Sequence, residues 1–106
     1  MKLSEAIRKG SKGTKQAFRT FFGDGSSCCA LGAAYIACGK RPTSILRGYD
    51  AFRVRVQECI ETDLETPTVH PVNNRVFELM LVVADLNDFE RWSRKRIADW
   101  LESIGH

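Results

Sequence analysis

The sequence predicts an all-α protein: a compact bundle of about five or six short helices around a buried small-residue helix at residues 29–38. Three observations carry that prediction. Apolar residues recur at three- and four-residue spacing in several segments, each with a residue suited to cap it. One segment, "CALGAAYIA", is apolar almost all round, as in a helix buried on most sides. A single short stretch, "FRVRV", alternates as a strand would.

The elements follow in order. "LSEAIRKG" places Leu3, Ala6 and Ile7 on one face, lets Glu5 pair with Lys9, and ends at Gly10. Thr14 is a suitable N-cap for "KQAFRTFF", where Ala17, Phe18, Phe21 and Phe22 form an apolar face. "GDGSS" is a turn, from which Ser26 or Ser27 can cap the buried helix. Within that helix, Gly32 costs roughly 1 kcal/mol against Ala, so a close backbone approach is its expected use. Gly39 serves as the C-cap and Pro42 starts the next element, "PTSILRGY", a short helix or turn. Residues 50–63 fit both a strand and a helix. Helix explains the longer span, through Phe52, Val56, Cys59 and Ile60, with Asp50 as cap. "LETPTVHP", with two prolines and no period, reads as a loop. Asn73 or Asn74 then opens the helix "RVFELMLVVADL", with Val76, Phe77, Met80, Leu81 and Ala84 inward and Asn87 as a left-handed C-cap. Ser93 caps the last helix, "RKRIADWLESI", with Ile97, Trp100, Leu101 and Ile104 facing the core and Gly105 ending it.

At 106 residues the chain forms one domain, residues 1–106, with one modest core. The longest strongly apolar run, Cys28 to Cys38, is 11 residues, against about 20 for a membrane span. "MKLSEAIRKGSKG" lacks the apolar centre of a signal peptide. Cytoplasmic placement follows as the expectation, and with it four reduced thiols in place of a disulfide framework. The net charge of +3 divides unevenly, since residues 1–48 carry nine Lys/Arg against two acids and residues 49–106 carry seven against eleven. The two halves are expected to face each other.

Three segments together resemble a group of small uncharacterised bacterial and phage-associated proteins: "LSEAIRKG…QAFRTFF", "CALGAA" and the C-terminal "LND…W-S-R-x-x-IADWLE". The likeness covers most of the chain, least at residues 40–72. It implies a compact cytoplasmic helical protein, and it implies no activity and no catalytic residue.

The residues themselves exclude several chemistries. Cys29 at a helix start, with His70 as base and Asn73 or Asn74 as orienting group, would make a Cys-His-Asn set. Small buried neighbours favour Cys29 as core instead. No C-x-x-C and no His pair on one helix face speaks for a metal, and no phosphate loop or dinucleotide fingerprint is present. "DLND" begins like a calcium loop, but Phe89 and Glu90 occupy positions that need an oxygen ligand and a glycine. "SRKRIADWLESIG" resembles the first helix of a helix-turn-helix, but no recognition helix follows it in this sequence. No catalytic residue, metal or cofactor is therefore expected.

The expected function is binding another protein, or a second copy of this chain, in an accessory role. Arg91, Arg94, Lys95 and Arg96 are the candidate contacts for an anion or an acidic partner. Positive charge in the first turn opposes the helix dipole, so Arg94, Lys95 and Arg96 need a partner. Ion pairs with Asp88, Glu90 or the acidic segment Glu58, Glu61, Asp63 and Glu65 are the simpler answer. A nucleic-acid-binding accessory protein is the first alternative, through Lys2, Arg8, Lys9, Lys12, Lys15 and Arg19. A cysteine-dependent enzyme centred on Cys29 is the second.

Overall fold

Small residues let the backbones of the first two helices meet. In the computed structural model, which describes residues 1–42 and 48–106, α1 spans Leu3–Ser11 and α2 spans Ala30–Ala37. A Cβ added at Gly10 would lie 1.7 Å from the Ala33 carbonyl oxygen, so only glycine permits this crossing. Residues Ala30 to Tyr35 of α2 are all buried, in keeping with an apolar run that has no polar face. Cys38 takes the C-cap position expected of Gly39, and Gly39, at φ +75°, follows it.

The remaining helices close around this pair. α5, Arg94–Ser103, lies against α1, burying Ile97, Ala98 and Leu101. Its outer edge is pinned by Arg8, which bonds Asp99 at 2.9 Å and Glu102 at 3.2 Å. Ser93 caps α5 by accepting from the Arg96 N–H, as its position predicts. α4, Leu79–Asp88, buries Leu79, Met80, Val82, Val83 and Leu86. α3, Gly48–Gln57, resolves the ambiguity of residues 50–63 in favour of helix, although it stops before Cys59 and Ile60. Its anchor is Phe52, fully buried and stacked on Phe21 with ring centroids 5.2 Å apart. Burying such a ring contributes about 1.5–3 kcal/mol. Asp50 sits inside the first turn of α3, where it is not the cap. Thr43 to Arg47, the middle of "PTSILRGY", lie outside the described residues.

Two segments depart from the all-α expectation. The loop expected at "LETPTVHP" contains strand β1, Pro67–Val69, and the helix expected from Asn73 or Asn74 begins instead as strand β2, Val76–Glu78. The strands pair antiparallel, Thr68 opposite Phe77 and Val69 opposite Val76. Val76, Phe77 and Leu81, expected inward, are exposed. Asn87, expected as a left-handed C-cap, is a buried helical residue, and Phe89 caps α4 in the right-handed region. Among the described residues the fold is thus five helices with one small hairpin.

The second departure is at residues 14–23, where no helix forms. This segment wraps around Cys28: the Ala17 N–H donates to the Cys28 carbonyl, the Cys28 N–H to Lys15, and the Cys29 N–H to Phe21. Arg19 adopts φ +62°, which breaks any helix there. Neither Ser26 nor Ser27 caps α2; Cys29 does, its sulfur accepting from the Gly32 N–H at 3.3 Å. Gly32 has the close backbone approach expected of it, since a Cβ would meet the Phe21 carbonyl oxygen at 2.2 Å.

The expectation of four reduced thiols also fails. Cys38 and Cys59 form a disulfide with Cα atoms 6.0 Å apart, whereas Cys28 and Cys29 are free and buried. Periodicity cannot bring together two cysteines 21 residues apart; the packing of α3 against α2 does so.

Candidate functional site

Buried polar side chains hold the irregular backbone, and the backbone so held walls a cavity. Asn87, 1% exposed, uses every polar group it has. Its Oδ1 accepts from Gln16 Nε2 and from the Ala30 N–H, and its Nδ2 donates to the Ala17 carbonyl and to Asp88 Oδ1. One helical asparagine therefore joins α4 to the start of α2 and to the 14–23 segment. Arg94 does the same from α5. Its Nη1 donates to Thr14 Oγ1 at 2.9 Å and to the Cys28 carbonyl and sulfur at 3.3 Å, and its Nη2 to the Thr14 carbonyl.

Cys29 lies on the wall of the cavity, which measures about 280 Å³. Its lining gathers the three segments singled out in the sequence: Arg19, Thr20 and Phe21 from the first, Cys29 and Leu31 from the second, Asn87 and Asp88 from the third. Tyr49 of α3 and Ala84 of α4 complete it. Phe21 and Tyr49 meet edge to face, centroids 5.6 Å apart. The Arg19 N–H donates to Asp88 Oδ1 at 2.8 Å, which offsets the cost of the left-handed backbone at Arg19. The Arg19 guanidinium turns away and stacks over Phe89, 5.1 Å from its centroid.

Burial pushes the Cys29 thiol up to about 12, with the Gly32 N–H opposing the effect and the Asp88 charge adding to it. Tyr49 is also raised, first by burial and then by Asp88. Cys29 is therefore a neutral thiol at physiological pH, which does not suit a nucleophile.

His70 takes no part in this cavity. It is fully buried, with Nε2 2.7 Å from Asp85 Oδ2 and Nδ1 accepting from the Val72 and Asn73 N–H groups. Those acceptor bonds put the ring proton on Nε2, facing the carboxylate. The imidazole thus fastens the hairpin turn to α4. Asn73 bonds its own turn through the Arg75 N–H. Cys29, His70 and Asn73 form no set of hydrogen-bonded groups. Among the described residues no cluster of three or more His, Cys, Asp or Glu could hold a metal ion.

The basic residues expected to contact an anion each have a neighbour in the fold. Arg94 binds the carbonyls described above, Lys95 pairs with Asp99 at 2.8 Å, Arg96 lies 3.8 Å over the Trp92 ring, and Arg91 lies 4.4 Å over Phe18. None pairs with Asp88, Glu90 or the acidic segment 58–65. Of the six residues expected at a nucleic-acid surface, Arg8 is engaged by Asp99 and Glu102, and Arg19 by Phe89. Lys2, Lys9, Lys12 and Lys15 make no ion pair with the described residues. Sequence reasoning missed Tyr49, Asn87 and Asp88 as neighbours of Cys29.

No family model, curated protein or solved structure matches the chain.

Proposed function

We propose that the protein works by binding and not by catalysis, and that it docks an extended segment of a partner protein along the free edge of β2. The observation that carries this reading is the asymmetry of the hairpin. The His70 N–H donates to Arg75 and the Leu79 N–H to Thr66, so by alternation Thr68 and Phe77 are the hydrogen-bonded pair between them. The polar backbone groups of Val76 then point outward, as does the Glu78 N–H. On the other edge the outward positions are Pro67, which has no N–H to offer, and Val69, so that edge presents one free N–H where β2 presents two. The open edge carries apolar side chains, Val76 at 61% and Phe77 at 41% exposure, with Val69 and Val72 exposed nearby. A strand added to such an edge gains backbone hydrogen bonds and buries alternate side chains. A photo-crosslinker at Val76 should capture one partner through an extended segment, and Val76→Pro should abolish capture while Phe77 remains protected from exchange. Equal labelling from Val54, on α3, would reject the reading.

A second reading rests on the stacked pairs Arg19–Phe89, Arg91–Phe18 and Arg96–Trp92, which set guanidinium planes against aromatic rings. Single-stranded nucleic acid is bound by such planes. Retention of a single-stranded oligonucleotide that falls steeply with salt supports this reading; indifference to salt rejects it.

Cytoplasmic location and an accessory role in a bacterial or phage setting remain part of the proposal. No described helix is long and apolar enough to cross a membrane. In a cytoplasmic location the Cys38–Cys59 disulfide is one of the exceptional cytosolic pairs, exposed to reduction by the cell's thiol pool.

A further inference from the structure

We propose that the cavity beside Cys29 binds a small organic cation, an ammonium group on an aromatic or aliphatic body, with Asp88 as its counter-charge and Phe21 and Tyr49 as its walls. Most polar groups of the lining are already engaged. Asn87 directs all its donors and acceptors to the protein. Thr20 donates to the Phe22 carbonyl, and the Cys29 sulfur takes the Gly32 N–H. Asp88 differs. Its Oδ1 accepts two hydrogen bonds, from the Arg19 N–H and Asn87 Nδ2. Its Oδ2 accepts none from any described residue, and no described cation forms an ion pair with it.

The nearest cation on the lining does not neutralise Asp88. Arg19 offers Asp88 its backbone N–H while its guanidinium rests on Phe89. The carboxylate is thus fixed in place by neutral donors at the edge of a space about 280 Å³ in volume. Its field reaches the Tyr49 wall and Cys29, since Asp88 helps to raise both. The other surfaces are apolar or aromatic: Leu31, Ala84, Phe21 and Tyr49. A negative charge beside aromatic rings selects a cation with an apolar body, because the rings attract the cation and the carboxylate takes the N–H donors. A carboxylate or phosphate ligand would meet Asp88 with like charge. A metal ion would find one carboxylate where it needs several ligands.

The test uses three probes of matched shape and different charge: 2-phenylethylamine, 2-phenylethanol and phenylacetate. Each is titrated into the full chain, followed by the NMR shifts of Ala84 and of the Phe21 and Tyr49 rings. The amine should bind about tenfold or more tightly than the alcohol, and the acid most weakly. Added sodium chloride should reduce the advantage of the amine. Asp88→Asn keeps an acceptor oxygen for the Arg19 and Asn87 donors, so it should remove the preference for the amine and leave the alcohol unchanged. Ala84→Leu, which fills the space without changing charge, gives an independent arm and should abolish all binding. Tightest binding by phenylacetate would overturn the proposal by making Arg19 the anchor. Equal binding of amine and alcohol, or no saturable shift with any probe, would overturn it as well.

Discussion

Residues 14–29 and residues 67–78 are both fastened to the helices by buried polar side chains, yet the first packs its backbone against α2, with Lys15, Arg19 and Thr20 exposed, and the second leaves one edge in solvent. In the first, Arg94 and Asn87 take up carbonyls and N–H groups that no helix or sheet satisfies. The chain there is packed against α2 closely enough that Gly32 has no room for a Cβ. In the second, His70 and Asp85 secure only the turn and one face of the hairpin. Every residue from Pro71 to Glu78 is exposed. The difference shows what a small helical protein gains from its non-helical backbone. Packed against α2 and held by hydrogen bonds, it walls a cavity; left unpaired along one edge, it exposes backbone N–H groups to solvent.

The contrast breaks most visibly at Arg94. Arg94→Met keeps much of the side-chain volume but leaves the Thr14 and Cys28 carbonyls buried with fewer partners. Each such group costs about 1–3 kcal/mol, so a loss of roughly 3 kcal/mol is expected in urea denaturation. A loss below about 1 kcal/mol would mean that residues 14–29 hold themselves in place.

Opening the Cys38–Cys59 disulfide comes next. A closed loop of this size contributes about 3 kcal/mol through the unfolded state. Reduction should lower the midpoint and loosen α3, and with it the Tyr49 wall of the cavity, while the hairpin is unchanged. The unreduced protein, denatured, should show two reactive thiols; four would show that the pair is not bonded.

His70→Ala acts on the hairpin alone. It removes the tie to Asp85 and should cost about 2 kcal/mol, with exchange accelerating at Phe77 before it does at Ala17. Equal acceleration at both positions would show that the two regions are not separable.

The smallest effect is at Cys29. Cys29→Ala should cost roughly 1 kcal/mol, since little volume is lost. Because burial raises this thiol to about 12, the folded state favours the protonated form. Its stabilising effect is complete below the ordinary thiol pKa near 9 and fades as the pH climbs towards 12. A water-soluble thiol reagent should therefore react slowly with native Cys29 at neutral pH and rapidly after denaturation. Fast native labelling that depends on His70 would contradict both the burial and the separation of the two regions.

Much of the helical frame was legible because it is periodic. Leu3 and Ile7, the small residues of α2, Phe52 and Val56, and Ser93 with Ile97 and Leu101 declare their helices locally. The two non-helical stretches were misread for the same reason. "KQAFRTFF" has a helical spacing of phenylalanines, but its backbone is decided by Asn87 and Arg94, which lie about 70 and 80 residues away. "RVFELMLVVADL" has a continuous apolar pattern, and nothing in it marks that Val76–Glu78 pairs with Pro67–Val69. The cavity was illegible in the same sense. Its charge, Asp88, stood in the sequence as a candidate ion-pair partner for Arg94, Lys95 and Arg96, and only the fold sets it beside Cys29 and Tyr49.

Amide hydrogen exchange of the native chain tests the contrast between the two regions most directly. The Ala17, Cys28, Cys29 and Ala30 amides, all bonded within residues 14–29 or to Asn87, should exchange only through global unfolding. Along β2 the amides should alternate, Phe77 slowed by its bond to Thr68 and Val76 and Glu78 exchanging near the rate of an open chain. Protection of Val76 and Glu78 equal to that of Cys28, or rapid exchange at Ala17 and Cys29, would contradict the account.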